Sequence, residues 1–316
     1  MSTNLTMRGI RWAAAIVLVG VVMGVSVVQW QTLEPRYQGK RLGIWLKGHP
    51  RDYVPAMEAI GTNALPYLLR ELQSRDSGLG RLGIVVFHRW LDSPPPWTTA
   101  RDRKHRARIG LGVLDTNAVP ALLSLAFSKP LRTDDGEPSL EAMFTLAGFR
   151  SDGARSMTRR AVVEALDSGD PARQWNACWI LALGGANLDT NLLERVASVA
   201  RSEDPRLRWV AVRATANWGF AQPGPEPLLF ERLADEQVAI RLEAISGLRE
   251  RKACAAEVIA ALRRAFDQEP TRPRKADPTR DWLMHGRAES VEEVRWEITR
   301  VIHSINPNAE LPVAKP

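Results

Sequence analysis

Asp204-Pro205-Arg206-Leu207-Arg208-Trp209-Val210-Ala211 is the stretch that decides how this chain is read. An aspartate followed by proline marks a helix start: the carboxylate accepts from early amide groups, and proline suits the first turn because its missing N–H has no partner there anyway. The same opening occurs upstream as Asp170-Pro171-Ala172-Arg173-Gln174-Trp175-Asn176-Ala177, and a third helix of similar build, Val238-Ala239-Ile240-Arg241-Leu242-Glu243-Ala244-Ile245, follows. Gln174 aligns with Arg208, and Arg208 with Arg241, at a near-constant step. A period of roughly 33 residues means stacked helical units that each bury a face against their neighbours, not one closed core.

Outward from this core of repeats, a second pattern recurs. Ile60-Gly61-Thr62-Asn63-Ala64-Leu65-Pro66-Tyr67-Leu68-Leu69 returns downstream as Leu114-Asp115-Thr116-Asn117-Ala118-Val119-Pro120-Ala121-Leu122-Leu123, with Leu188-Asp189-Thr190-Asn191-Leu192-Leu193 a looser copy. Each has a breaker, then Thr-Asn, read as a capping pair, then an apolar helix start. The spacing predicts an all-α solenoid over residues 51–305, built of the pairs 54–60 with 64–72, 140–148 with 157–166, 173–183 with 192–200, 207–218 with 227–233 and 238–248 with 255–266, and a closing helix at 294–302. Insertions fall near 78–97, an apolar run closed by Pro94-Pro95-Pro96, and near 267–288, polar and proline-bearing. No alternating strand pattern stands out. Residues 31–50 form a juxtamembrane linker in which Leu42, Ile44, Trp45 and Leu46 are expected to cap the first repeat. Residues 1–9 read as an N-terminal tail and 306–316 as a disordered one.

Residues 10–30 predict a membrane-spanning or signal-anchor helix that precedes the solenoid. After Arg11 no charge occurs until Glu34, and Trp12 and Trp30 bracket an aliphatic stretch. Twenty-one helical residues reach about 31 Å, the thickness of a bilayer core. Cleavage of a signal peptide near Gly24-Val25-Ser26, releasing a secreted domain, is the alternative. A single-pass membrane protein with an extracytoplasmic domain is the expectation, because long segments following an N-terminal anchor are exported despite flanking charge.

Composition adds little. A net charge of +7 favours acidic partners, but 43 basic residues lie among 36 acidic ones, the mixture of ordinary solvated helix faces. The two cysteines, Cys178 and Cys254, lack metal-ligand spacing and read as small buried apolar groups.

Asp-Pro-x-(Val/Leu)-Arg-x-x-Ala at Asp204–Ala211, with its relatives at Val238–Leu248 and Asp170–Ala177, resembles the first helix of HEAT repeats. The period is similar to that of short bacterial HEAT-like units, and the leader Pro35–Leu46 resembles those of membrane-anchored bacterial HEAT proteins. The resemblance implies an armadillo-like scaffold that binds protein and carries no general catalytic residues.

The sequence offers no catalytic, cofactor-binding or metal site. His49, His88, His105, His285 and His303 are scattered, and neither a phosphate-binding loop nor a nucleophile motif occurs. Two features remain as candidates for partner binding. Arg101, Arg103, Lys104, Arg106 and Arg108 crowd one helix, either as an anion-binding patch or as a solvated face. Trp175, Trp209 and Trp296 each follow the same Arg/Gln-type position, either as packing between repeats, which Leu242 in the fourth copy favours, or as an exposed aromatic ladder. The expected partner is another protein, with the membrane engaged through residues 10–30. Nucleic-acid binding through basic and aromatic side chains is the alternative, against which the anchor argues. No small-molecule ligand or cofactor is expected.

Overall fold

The computed structural model describes residues 34–78, 80–81, 84–85, 98–128, 138–184, 189–217, 226–249, 255–269 and 291–312. The apolar segment 10–30 and most of both insertions lie outside them, as do His88, Cys254 and His285. Among the described residues no single helix is long and apolar enough to cross a membrane. The chain divides into two compact units, Met1–Leu114 and Asp115–Pro316.

The first unit opens with a feature that the sequence reading missed. Strands β1 (Arg36–Tyr37) and β2 (Lys40–Arg41) pair antiparallel through Gln38 and Gly39, both at positive φ. Two left-handed residues match a two-residue hairpin turn to the twist of its strands. Helices α1 (Leu42–Trp45), α2 (Pro50–Ile60), α3 (Leu65–Leu72) and α4 (Ala100–Leu114) follow. Leu42 and Leu46 are buried while Ile44 stays exposed, and the Trp45 indole donates to the Tyr37 carbonyl at 3.1 Å. Helix α2 starts earlier than the pattern suggested, because His49 caps it: its ring accepts from the Arg51 amide, and its own amide donates to Asp52. Helices α3 and α4 approach closely at Gly110, where a Cβ would lie 2.8 Å from the Leu68 side chain.

The Thr-Asn pair does not cap. Thr62-Asn63 and Thr116-Asn117 lie inside short 3-10 turns, Gly61–Ala64 and Asp115–Asn117, and helix α3 and helix α5 (Val119–Ala126) begin without a side-chain cap. What the two copies share is a left-handed residue at the turn's first position, Gly61 at φ 58° and Asp115 at φ 50°. Glycine takes a positive φ freely, and aspartate adopts one more readily than most other residues. The looser third copy differs: Asp189 is extended and accepts from the Leu192 amide as a true N-cap.

The second unit continues with α6 (Pro138–Gly148), α7 (Asp152–Leu166), α8 (Pro171–Ala182), α9 (Thr190–Ala200), α10 (Pro205–Ala216), α11 (Glu226–Arg232), α12 (Val238–Leu248), α13 (Ala255–Gln268) and α14 (Val291–Ile305). Helices α6, α8, α10, α12 and α14 lie side by side in one layer. Each also packs on the helix just before it in sequence: α5 on α6, α7 on α8, α9 on α10, α11 on α12, α13 on α14. The sequence paired each first helix with the one after it. The closer partner is the one before, for which the short turn Asp167–Asp170 between α7 and α8 gives the reason, since so short a link forces its two helices together.

The Asp-Pro starts behave as expected. Asp170 accepts from the Ala172 amide at 2.9 Å and Asp204 from the Arg206 amide at 2.8 Å, each followed by proline at the first helical position. A finer repeat sits just upstream. Ser168 Oγ accepts from the Asp170 amide, Ser202 Oγ from the Asp204 amide and Asp235 Oδ1 from the Gln237 amide, a local side-chain turn at the same register in three units. Helix α13 runs to Gln268, past the expected start of the second insertion. Residues 306–312, read from the sequence as part of a tail, form a turn and receive a hydrogen bond from Arg263 at the Glu310 carbonyl.

Candidate functional site

The arginine that recurs from unit to unit has a structural task. Arg208 sits on α10 with its side chain 8% exposed and faces the start of the next unit. Its Nη1 donates to the carbonyls of Ser202 (3.1 Å) and Glu203 (3.0 Å), its Nε to Asp235 Oδ2 (3.0 Å), and its Nη2 to Asp235 Oδ1 (3.2 Å) and Glu236 (3.3 Å). All five guanidinium N–H groups are thereby used, in the forked geometry that only arginine supplies. Arg241, one unit on, repeats the arrangement: Nη1 donates to the carbonyls of Asp235 (2.9 Å) and Glu236 (3.2 Å), and Nη2 meets Glu269. Ser202, Asp235 and Glu269 occupy equivalent positions, so the charge is matched unit by unit. Gln174 is neutral where the next unit offers Ser202, and it instead donates to the Leu166 carbonyl at 3.0 Å.

The tryptophan column divides. Trp175 and Trp209 are each 5% exposed and stack with ring centres 6.1 Å apart, while Trp296 is 62% exposed. The first two are packing between adjacent units; the third is open to solvent. Trp179, one helical turn after Trp175, meets Trp209 edge-on at 5.8 Å. Arg213, one turn after Trp209, lies over both rings, 5.3 Å from Trp179 and 5.2 Å from Trp209, and reaches Glu243 on α12 at 3.5 Å. Trp179, Arg213 and Glu243 are each partly exposed. They make a row of aromatic, cation and carboxylate across α8, α10 and α12, on a floor of buried indoles. Sequence reasoning passed over this row, although i, i+4 spacing from Trp175 and Trp209 pointed to it.

The basic residues of α4 do not assemble into one surface. Arg103 donates to the carbonyls of Thr98 (2.9 Å) and Arg75 (3.3 Å) and lies 3.8 Å from Glu71 and 3.7 Å from Asp76. Lys104 is buried, and Arg106 donates to the Asp102 and Gly43 carbonyls at 3.3 Å each. Arg101 is exposed and Arg108 partly so. At one step per about 100°, Arg101, Lys104 and Arg108 fall on one side of the helix and Arg103 and Arg106 on the other, and Lys104 is buried, so the five cations do not form a single exposed surface. Burial holds the Glu71 carboxyl above its ordinary range against the opposing pull of Arg103 and Arg70. The Tyr67 phenol is raised by burial and by the nearby Glu71 and Glu34 carboxylates. Asp102 is lowered by hydrogen bonds from the Thr99 hydroxyl, at 2.7 Å, and amide.

Among the described residues no group of three or more His, Cys, Asp and Glu could hold a metal ion. His49 caps a helix, and His105 and His303 are exposed. Cys178 is fully buried, and burial pushes its thiol up to about 12. Comparison with curated proteins gives no match. The segment from α9 through α13, residues 192–279, matches the family model described as HEAT repeats, and it contains both the Arg208–Asp235 and the Arg241–Glu269 pairs.

Proposed function

We propose that this chain is a membrane-tethered scaffold that binds another protein through the surface of its second unit and catalyses no reaction. HEAT repeats commonly form protein-interaction scaffolds. The observation that carries the reading is the row Trp179–Arg213–Glu243. Its floor is packed, because the Trp175 and Trp209 rings are buried against it, while Trp179, Arg213 and Glu243 remain partly open to solvent. Aromatic and arginine side chains already ordered at a surface lose little entropy on binding, and they are enriched among residues that dominate interfaces. The tether is the segment 10–30, with the repeat domain outside the cytoplasm.

The test has two parts. A reporter fused after Pro316 should be active only in the extracytoplasmic compartment; activity in the cytoplasm would sink the topology. A photo-crosslinking residue at Trp179 in membranes should yield a discrete adduct that Arg213→Ala removes and Arg101→Ala leaves intact. An adduct indifferent to Arg213→Ala would move the binding surface elsewhere.

A further inference from the structure

Helix α14 belongs to the layer formed by α8, α10 and α12, and it leaves a line of three side chains exposed. It buries Val294, Ile298, Val301 and Ile302 against α12 and α13, and turns Glu292, Trp296 and Arg300 outward. These three are spaced i, i+4 and i+8, so they lie in one line on one face. Trp296 follows the arginine-type position as Trp175 and Trp209 do. In the array that position is filled by stacking: the Trp175 ring is covered by Trp209 at 6.1 Å. Among the described residues no ring covers Trp296, which carries only Arg300 over its face at 5.4 Å.

The charges beside this indole are antisymmetric about it. One turn before stands a glutamate, one turn after an arginine. When two such helices meet antiparallel about a two-fold axis, a residue one turn before the centre faces the residue one turn after it on the other helix. A face of this kind is complementary to itself, the requirement for an isologous contact. We propose that α14 is a two-fold docking face on which a second copy of this chain seats antiparallel, Trp296 against the partner's Trp296 at the axis, and Glu292 of each copy against the partner's Arg300. Arg300 already binds Glu297 through Nε and Nη2, and its Nη1 edge is available for the partner's Glu292. One helix per copy is a small contact, so the dimer is a weak one, formed at micromolar concentrations.

Sedimentation of the purified full chain tests this. The mass should rise from one copy to two across the micromolar range. Trp296→Ala should weaken association at least about 30-fold, as expected for a central aromatic anchor. Glu292→Arg and Arg300→Glu should each leave monomers. Mixing those two single variants should restore a dimer, because each then offers the charge the other lacks, and the double swap Glu292→Arg with Arg300→Glu should restore it within one chain. All three positions are exposed in the single chain, so circular-dichroism melts taken below the dimer's concentration range should hardly move. A single-copy mass at every concentration overturns the proposal. So does a dimer that survives both single swaps, or a Trp296→Ala chain that keeps its dimer but melts early, which would mean that the ring is covered from within its own chain.

Discussion

Arg208 grips Asp235 with two parallel hydrogen bonds, 3.0 and 3.2 Å long, that tie helix α10 to the turn before α12, and both side chains are more than nine-tenths buried. The pair joins one unit to the next at the point where Gln174 and Ser202 occupy the same positions one unit earlier. The chain therefore contains its own neutral control. Removing one partner of a buried pair strands the other charge, so Arg208→Ala should cost about 3–5 kcal/mol. Arg208→Gln combined with Asp235→Ser, which copies the neutral unit, should recover most of that loss. Denaturant midpoints of the three chains decide; a double variant no better than the single would show that the neutral pair does not fit this register.

Trp175 and Trp209 hold adjacent units together by ring stacking. Truncating either to alanine leaves a large void and should cost about 3–5 kcal/mol. At concentrations where the chain is monomeric, Trp296→Ala should stay within about 0.5 kcal/mol of the parent, as for an ordinary surface position. The same motif position thus carries opposite expectations, set entirely by what covers it. Equal destabilisation by all three would mean that Trp296 is buried in solution.

Glycines 247 and 112 provide a matched pair inside helices. Alanine favours a helix interior over glycine by about 1 kcal/mol. At Gly112 nothing lies within 4 Å of the added Cβ, so Gly112→Ala should stabilise. At Gly247 the Cβ would stand 2.6 Å from Ala216 Cβ and 2.8 Å from its Cα, where backbone must move. Overpacking of that kind costs about 1–3 kcal/mol, which exceeds the propensity gain. Gly247→Ala should therefore lower the melting temperature while Gly112→Ala raises it.

The architecture was legible because its signals are local. Asp170-Pro171 and Asp204-Pro205 announce their helices through bonds to nearby amides, and a constant step needs only one dimension to be seen. What was not legible lies across units. Arg208 and Asp235 belong to different units, and nothing in either unit alone says that the arginine turns toward the next start and not toward solvent. Trp296 looks like Trp175 in sequence, and only the absence of a covering ring among the described residues separates them. The Gln38-Gly39 hairpin was hidden by its length, since two-residue strands carry no alternation to read. The basic run on α4 reads as one group in sequence, and only the helix shows how it divides between two sides.

Glu71 sets a pH dependence for the first unit. Burial raises its carboxyl above the ordinary value of 4.5, outweighing the attraction of Arg103, 3.8 Å away, and of Arg70. A folded-state value above the unfolded one means that the folded chain holds this proton more tightly. The stability Glu71 contributes is then fully present below pH 4.5 and is lost as pH rises through the raised folded value. Asp102 works in the opposite direction: its lowered value gives stability that is present above the unfolded range and lost as pH falls through the folded one. Glu71→Gln removes only the first effect. Relative to the parent chain, this variant should therefore gain stability as pH rises from 4.5 through the raised folded value and keep that gain above it, and the two melting curves should converge in acid. A parent that becomes more stable than Glu71→Gln as pH rises would reverse the sign, and would mean that the arginines outweigh burial at this carboxylate.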